Sequence, residues 1–177
     1  FPPENKIDLA AVYEGDITTI RDLDKQRQER GKYKSYERAC QVKWVRSSLT
    51  GNGELRFWEI LTKRPDIGLS YDMVFYAATW IYTPEPAETK IMADGPKGGH
   101  YGIRGWLNGK RLPSTGKDAE CREMVDKDRT VKLDAGWNTL LLRYNHIYGA
   151  GAMTVRLDAP PETLWKLKVA GSPPLTK

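Results

Sequence analysis

The residues of this 177-residue chain that could do chemistry are few. There are two histidines, His100 and His146. Neither belongs to an HExxH or HxH pair, and the chain has no GxSxG elbow and no Walker loop. Hydrolysis of a glycosidic bond needs two carboxylates flanking that bond. Glu54 and Glu59 are such a pair by type, but spacing alone does not bring them to one bond, and an exposed acid is ordinarily a solvated charge. Calcium takes six to eight oxygens, often from loop carboxylates and carbonyls. Asp94 in ADGPKGG and Asp126 and Asp128 in DKDR offer carboxylates without EF-hand spacing. Asp94 is the candidate ligand for a structural calcium ion, weighed against the ordinary role of a turn aspartate. Cys40 and Cys121 are too far apart for CxxC redox or zinc chemistry. In an exported protein they would form one long-range disulfide, contributing about 4 kcal/mol on the chain-entropy view. In the cytosol they would be small buried residues. The chain therefore reads as non-catalytic and requires no cofactor.

Its distinctive chemistry is aromatic and cationic. Six Trp and nine Tyr stand against three Phe, and rings with a polar handle are favoured where one side is wet. Trp44, Trp58 and Trp80 lie in strand-like runs and read as core. Trp106 differs. It stands in RGWLNGKRL, where Asn108-Gly109 is the strongest short signal for a two-residue hairpin turn. That turn sets Leu107 opposite Lys110 and Trp106 opposite Arg111. Alternation puts Ile103, Gly105 and Leu107 on one face and Arg104 and Trp106 on the other. With Ile103 and Leu107 inward, Trp106 stands outward between two arginines. It is then either a cation–π lid on Arg111 or the floor of a binding site; a strand buried on both faces would make it core. His100 and Tyr101 precede this hairpin in a Gly-rich loop, and His146 and Tyr148 lie in RYNHIYGAGA. If these two loops meet, they add His and Tyr groups to one site.

The elements that must position these residues are short strands. KIDLAAVYEG opens the chain as a strand candidate. Asp16 or Thr18 can cap a short helix through Ile17, Ile20 and Leu23, ended by Gly31. QVKWVRSSL and ELRFWEIL, joined by TGNG, read as neighbouring antiparallel strands. YDMVFYAATWIYTP, TKIMADG, the WLNG hairpin, RTVKLDAG, WNTLLLRYNH, AMTVRLDAP and LWKLKVAG follow at turn spacings that suit a β-sandwich. The expected fold is all-β, a two-sheet antiparallel sandwich of jelly-roll type with a short N-terminal helical or irregular elaboration. Residues 1–40 are that elaboration, 41–170 the sandwich and 171–177 a linker-like tail. The whole is one domain, a size able to bury its own core.

The run FYAATWIYTPEPAETKIMADG…GWLNGKRL…RTVKLDAGWNTLLLRYNHIYGAGAMTVRL resembles galactose-binding-domain-like jelly-roll modules of secreted bacterial glycosidases, polysaccharide lyases and surface proteins. The resemblance covers about residues 74 to 158, with the last strand reaching about 169. It implies a non-catalytic carbohydrate-binding module, often with structural calcium. The chain departs from the family where SDDG is usual: it has Ala93-Asp94-Gly95 followed by PKGGHYGIRG. That segment carries Lys97, His100, Arg104 and, with the hairpin, Lys110 and Arg111. Such a cationic rim suits uronate or sulfated polysaccharide, because arginine forks match carboxylate and sulfate.

The ligand-binding residues expected are Trp106, Arg104, Asn108, Arg111, His100, Tyr101, His146 and Tyr148. The alternative is a structural or protein-docking domain of a larger extracellular enzyme or surface complex. KYKSYERACQVKWVR interleaves basic and aromatic residues, but RRM and KH signatures are missing, so no specific nucleic-acid partner is expected. The net charge of +5 is enough only for weak, salt-sensitive attraction to polyanions. No apolar run is long enough to span a bilayer. FPPENKIDLAAVYEGD has no signal-peptide pattern. It reads as the start of a processed or excised module, and the resemblance implies a secreted, periplasmic or cell-surface location.

Overall fold

The computed structural model describes residues 7–20, 35–51, 53–62, 73–95, 100–115, 123–148 and 151–172. They form a mostly β structure whose antiparallel sheets pack on each other. Strands β1 (Val12–Ile20) and β2 (Ser35–Lys43) pair in a sheet of their own. A four-stranded sheet runs β3 (Glu54–Arg56), β10 (Ala152–Asp158), β5 (Ala87–Asp94), β8 (Thr130–Leu133). A five-stranded sheet runs β11 (Lys168–Ala170), β4 (Met73–Thr83), β9 (Gly136–Tyr148), β6 (His100–Leu107), β7 (Lys110–Arg111). Two short helices, α1 (Phe57–Thr62) and α2 (Pro161–Leu164), complete the described chain. No helix among the described residues is long and apolar enough to cross a membrane.

Period-two alternation builds the core. On the five-stranded sheet Ile81, Ile103, Leu107, Leu140, Leu142 and Tyr144 face inward; on the other sheet Ile91, Ala93, Leu133 and Met153 meet them in one buried cluster. Each large apolar side chain so buried contributes roughly 1.5–3 kcal/mol. Gly105 lies within this packing. A Cβ there would fall 2.6 Å from Leu112 Cδ1, 3.0 Å from Leu142 Cδ2 and 3.3 Å from Val125 Cγ2. The glycine is thus required for space and not for a turn. Gly105→Ala should cost about 1–2 kcal/mol by overpacking. The check is a lower urea midpoint with unchanged m; an unaltered midpoint would show that the leucines move aside freely.

Four expectations are corrected. The helix expected from Asp16 or Thr18 is strand: Asp16–Ile20 belongs to β1, in register with Ser35–Ala39. Val12, Tyr13, Ile17, Thr18, Thr19 and Ile20 are strand formers, and β2 supplies an antiparallel partner along the whole of β1. The described N-terminal elaboration is therefore a β ribbon; residues 21–34 lie outside the described chain. Second, ELRFWEIL is not one strand. It breaks after Arg56 into α1, where Phe57 and Ile60, three apart, turn to the core. Arg56 bridges Glu54 and Glu59 across the junction at 3.2 and 3.3 Å. Phe57 is 2% exposed and stacks on Phe75 at 4.3 Å, which leaves no place for a continuing strand. Third, the turn at Thr50–Gly53 forms but joins no hairpin: β2 pairs with β1, and β3 pairs with the edge of β10. LWKLKVAG likewise contributes only Lys168–Ala170 to a sheet, its start being the end of α2.

Candidate functional site

The hairpin is built as its residue types demand. Asn108 and Gly109 have φ of 51° and 75°, the left-handed pair that a two-residue turn requires. Trp106 pairs with Arg111 and Leu107 with Lys110. Leu107 is 7% exposed and lies in the core, which leaves Arg104 and half-buried Trp106 on the outer face of the five-stranded sheet. There Trp106 sits opposite Leu141 of β9, and Leu141 sits opposite Ala78 of β4. Leu141 and Trp80 are buried, at 3% and 6%, yet both stand apart from the inner cluster on this outer face. Trp80 is therefore not a filler of the sandwich interior. Trp44 is half-buried after the end of β2, and Trp58 lies in α1.

The two arginines beside Trp106 share an acid that sequence reasoning missed. Glu123, with 7% of its side chain exposed, accepts a hydrogen bond from Arg111 Nη2 on Oε1, and its Oε2 lies 2.7 Å from Arg104 Nε as an ion pair. Its backbone carbonyl accepts from the Ile103 amide at 2.7 Å, which fixes the residue against β6. Burial pushes the Glu123 carboxyl pKa up. The Ser114 hydroxyl and Arg111 and Arg104 outweigh burial and hold it below the usual carboxylate value, so it is ionised at neutral pH. The ring contacts of the described residues include no stack of Trp106 on Arg111; both arginines turn to the carboxylate. Two positive charges and one negative leave the cluster a net +1.

Asn108 is committed to the fold. Its Oδ1 accepts from the Thr139 amide at 2.8 Å, and its Nδ2 donates to Asn138 Oδ1 at 2.8 Å. Asn138, fully buried, also accepts from the Asp134 amide at 2.9 Å and donates to the Asp134 carbonyl at 2.8 Å. The network ties the β6–β7 turn to the β8–β9 connection.

The remaining expected residues lie toward the other end of β6 and β9. The register sets His100 opposite Tyr148 and Tyr101 opposite His146, with an irregularity between His100 and Tyr101. These residues are strand and not loop, and as backbone the two strands are neighbours. The Tyr101 ring, however, packs on the core margin and stacks on Tyr144 at 5.5 Å. Burial, and then the neighbouring Tyr101, push the Tyr144 hydroxyl pKa up, so it stays protonated. Trp106 and Tyr101 stand at alternate faces of β6, so these two do not share one cleft.

Asp94, the candidate calcium ligand, ends β5. Its carboxylate faces Arg156 at 3.7 Å, and no three His, Cys, Asp or Glu side chains of the described residues gather around a point. Cys40 lies in β2 opposite Gly15, and Cys121 lies outside the described residues. In comparisons with known proteins the chain matches no family model, no curated protein and no solved structure.

Proposed function

We propose that this chain is a non-catalytic glycan-binding β-sandwich of jelly-roll type, exported and working beside other domains of a larger protein. The observation that carries the reading is Trp106, half-buried on the outer face of the five-stranded sheet and flanked by Arg104 and Arg111. An indole offers an apolar surface to the C–H face of a sugar, and the arginines border it with hydrogen-bond donors. Glu123 holds both guanidinium groups in place, so the polar border is preorganised and loses little freedom on binding. The net +1 of that cluster supports an acidic ligand, uronate or sulfated, more weakly than two free arginines would.

Affinity electrophoresis in gels containing galactan, xylan, polygalacturonate or chondroitin sulfate tests the reading. Retardation by one of them, weakened about tenfold in Trp106→Ala, is expected if one ring contact of this kind is lost. Equal retardation of wild type and variant would move the site elsewhere, and no retardation in any gel would sink the glycan reading. A second reading, a protein-docking domain, has its own support: Trp165 is 88% exposed and Val169 66%, beside the edge strand β11. Docking is expected to be indifferent to competing sugars.

A further inference from the structure

We infer a second aromatic contact on the same sheet face, at Trp137, which would extend the site from one sugar to a length of polysaccharide chain; the inference rests on the glycan reading above. Lys168, Tyr82 and Trp137 form one row across β11, β4 and β9, since Lys168 pairs with Tyr82 and Tyr82 with Trp137. The Tyr82 and Trp137 rings meet at 5.3 Å with a tilt of 56°, and Lys168 Nζ lies 5.6 Å over the Tyr82 ring. Tyr82 is thus held between two neighbours. Among the described residues, β4 is the strand paired with β9 at Trp137. The β6 strand that covers the other side of β9 ends at Leu107, opposite Leu140, and the chain turns back at Asn108-Gly109. Trp137 lies beyond that turn, and the residue is 39% exposed.

The surroundings select the ligand class. A protein hot spot wants its aromatic anchor enclosed and dehydrated. Trp137 instead stays open to water, with exposed Lys168 two strands away in its row. A ring backed by Tyr82 and open to water matches the apolar face of a sugar. The row of Trp137 is also continuous with the proposed site. Trp106 is opposite Leu141, four residues along β9 from Trp137, which sets the two positions about 14 Å apart along the strand. That is the reach of a short oligosaccharide lying along β9, with half-buried Thr139 between.

The test uses the polysaccharide that retards wild type most strongly among galactan, xylan, polygalacturonate and chondroitin sulfate, together with its own oligosaccharides of increasing length. Wild type, Trp106→Ala, Trp137→Ala and Trp137→Tyr are compared, with thermal unfolding confirming that each is folded. Loss of the Trp137 ring is expected to weaken binding of the polymer about three- to tenfold, with Trp137→Tyr restoring part of it. The shortest oligosaccharide should distinguish wild type from Trp137→Ala less than the polymer does. Retention that falls in Trp106→Ala and is unchanged in Trp137→Ala overturns this inference and leaves the single-site reading intact. Absence of retention by folded wild type overturns both.

Discussion

Asn138→Ala should destabilise the protein by about 2–4 kcal/mol, because it strands several backbone and side-chain groups at once. Asn138 is 0% exposed and holds the β8–β9 connection in shape: its Oδ1 accepts from the Asp134 amide and the Asn108 side chain, and its Nδ2 donates to the Asp134 carbonyl. Weaker reaches to Gly136 and Ile81 carbonyls, at 3.3 and 3.4 Å, complete its surroundings. Asp134 and Asn108 are exposed and recover water in the variant, which keeps the cost from being the sum of all the bonds. The Asp134 amide and the vacated volume do not recover as easily. Asn138→Asp is a sharper probe. It keeps the acceptor but replaces the donor with a charge facing the Asp134 carbonyl, so it should be at least as damaging. Urea unfolding of the variants measures both; a loss below about 1 kcal/mol in each would mean that the network is replaceable by solvent.

Much of this network was written locally. Asn-Gly demands positive φ at both positions, and the hairpin followed with Trp106 facing Arg111. The alternation of Ile103, Gly105 and Leu107 told inside from outside because one face of β6 is core. The same rule fails for β4 and β9, whose outer faces also carry Trp80 and Leu141. When both faces are apolar, alternation no longer tells which one is interior. FWEIL misled for a related reason. A six-residue helix shows too little of its period, and Phe57 with Ile60 was the only sign.

Glu123 was the larger omission. It belongs to the polar excursion AECREMVDKD, far in sequence from Arg104, and its place depends on non-local backbone bonds: Ile103 to Glu123, Thr115 to Met124 and Asp126 to Pro113. One signal did exist. A hairpin with Arg104, Lys110, Arg111 and no acid of its own, half-packed against a core, needs a carboxylate from elsewhere. The placing of Trp106 and Tyr101 on opposite faces of β6 has a simpler origin: they are an odd number of residues apart, and alternation sends them to opposite sides. Strands adjacent in register need not direct side chains to a common cleft.

Glu123→Ala should cost about 2–3 kcal/mol, nearer the lower figure for a charged pair since Arg111 is half exposed and water can reach it. The pH dependence has a definite sign. Glu123 has a native pKa below the ordinary carboxylate value, because Ser114, Arg111 and Arg104 outweigh the burial that would raise it. Its contribution is therefore complete above about pH 4.5 and is lost as pH falls through the lowered native value. The stability gap between wild type and Glu123→Gln should be flat toward neutrality and should narrow in acid. A gap that widened on acidification would show that burial, not the arginines, dominates. The same variant bears on ligand charge. Removing the carboxylate's charge takes the cluster from +1 to +2, so a folded Glu123→Gln should bind polygalacturonate or chondroitin sulfate more tightly at low salt, with the gain erased as salt rises. A neutral glycan should show no such gain and should weaken, because Arg104 and Arg111 lose the group that orients them.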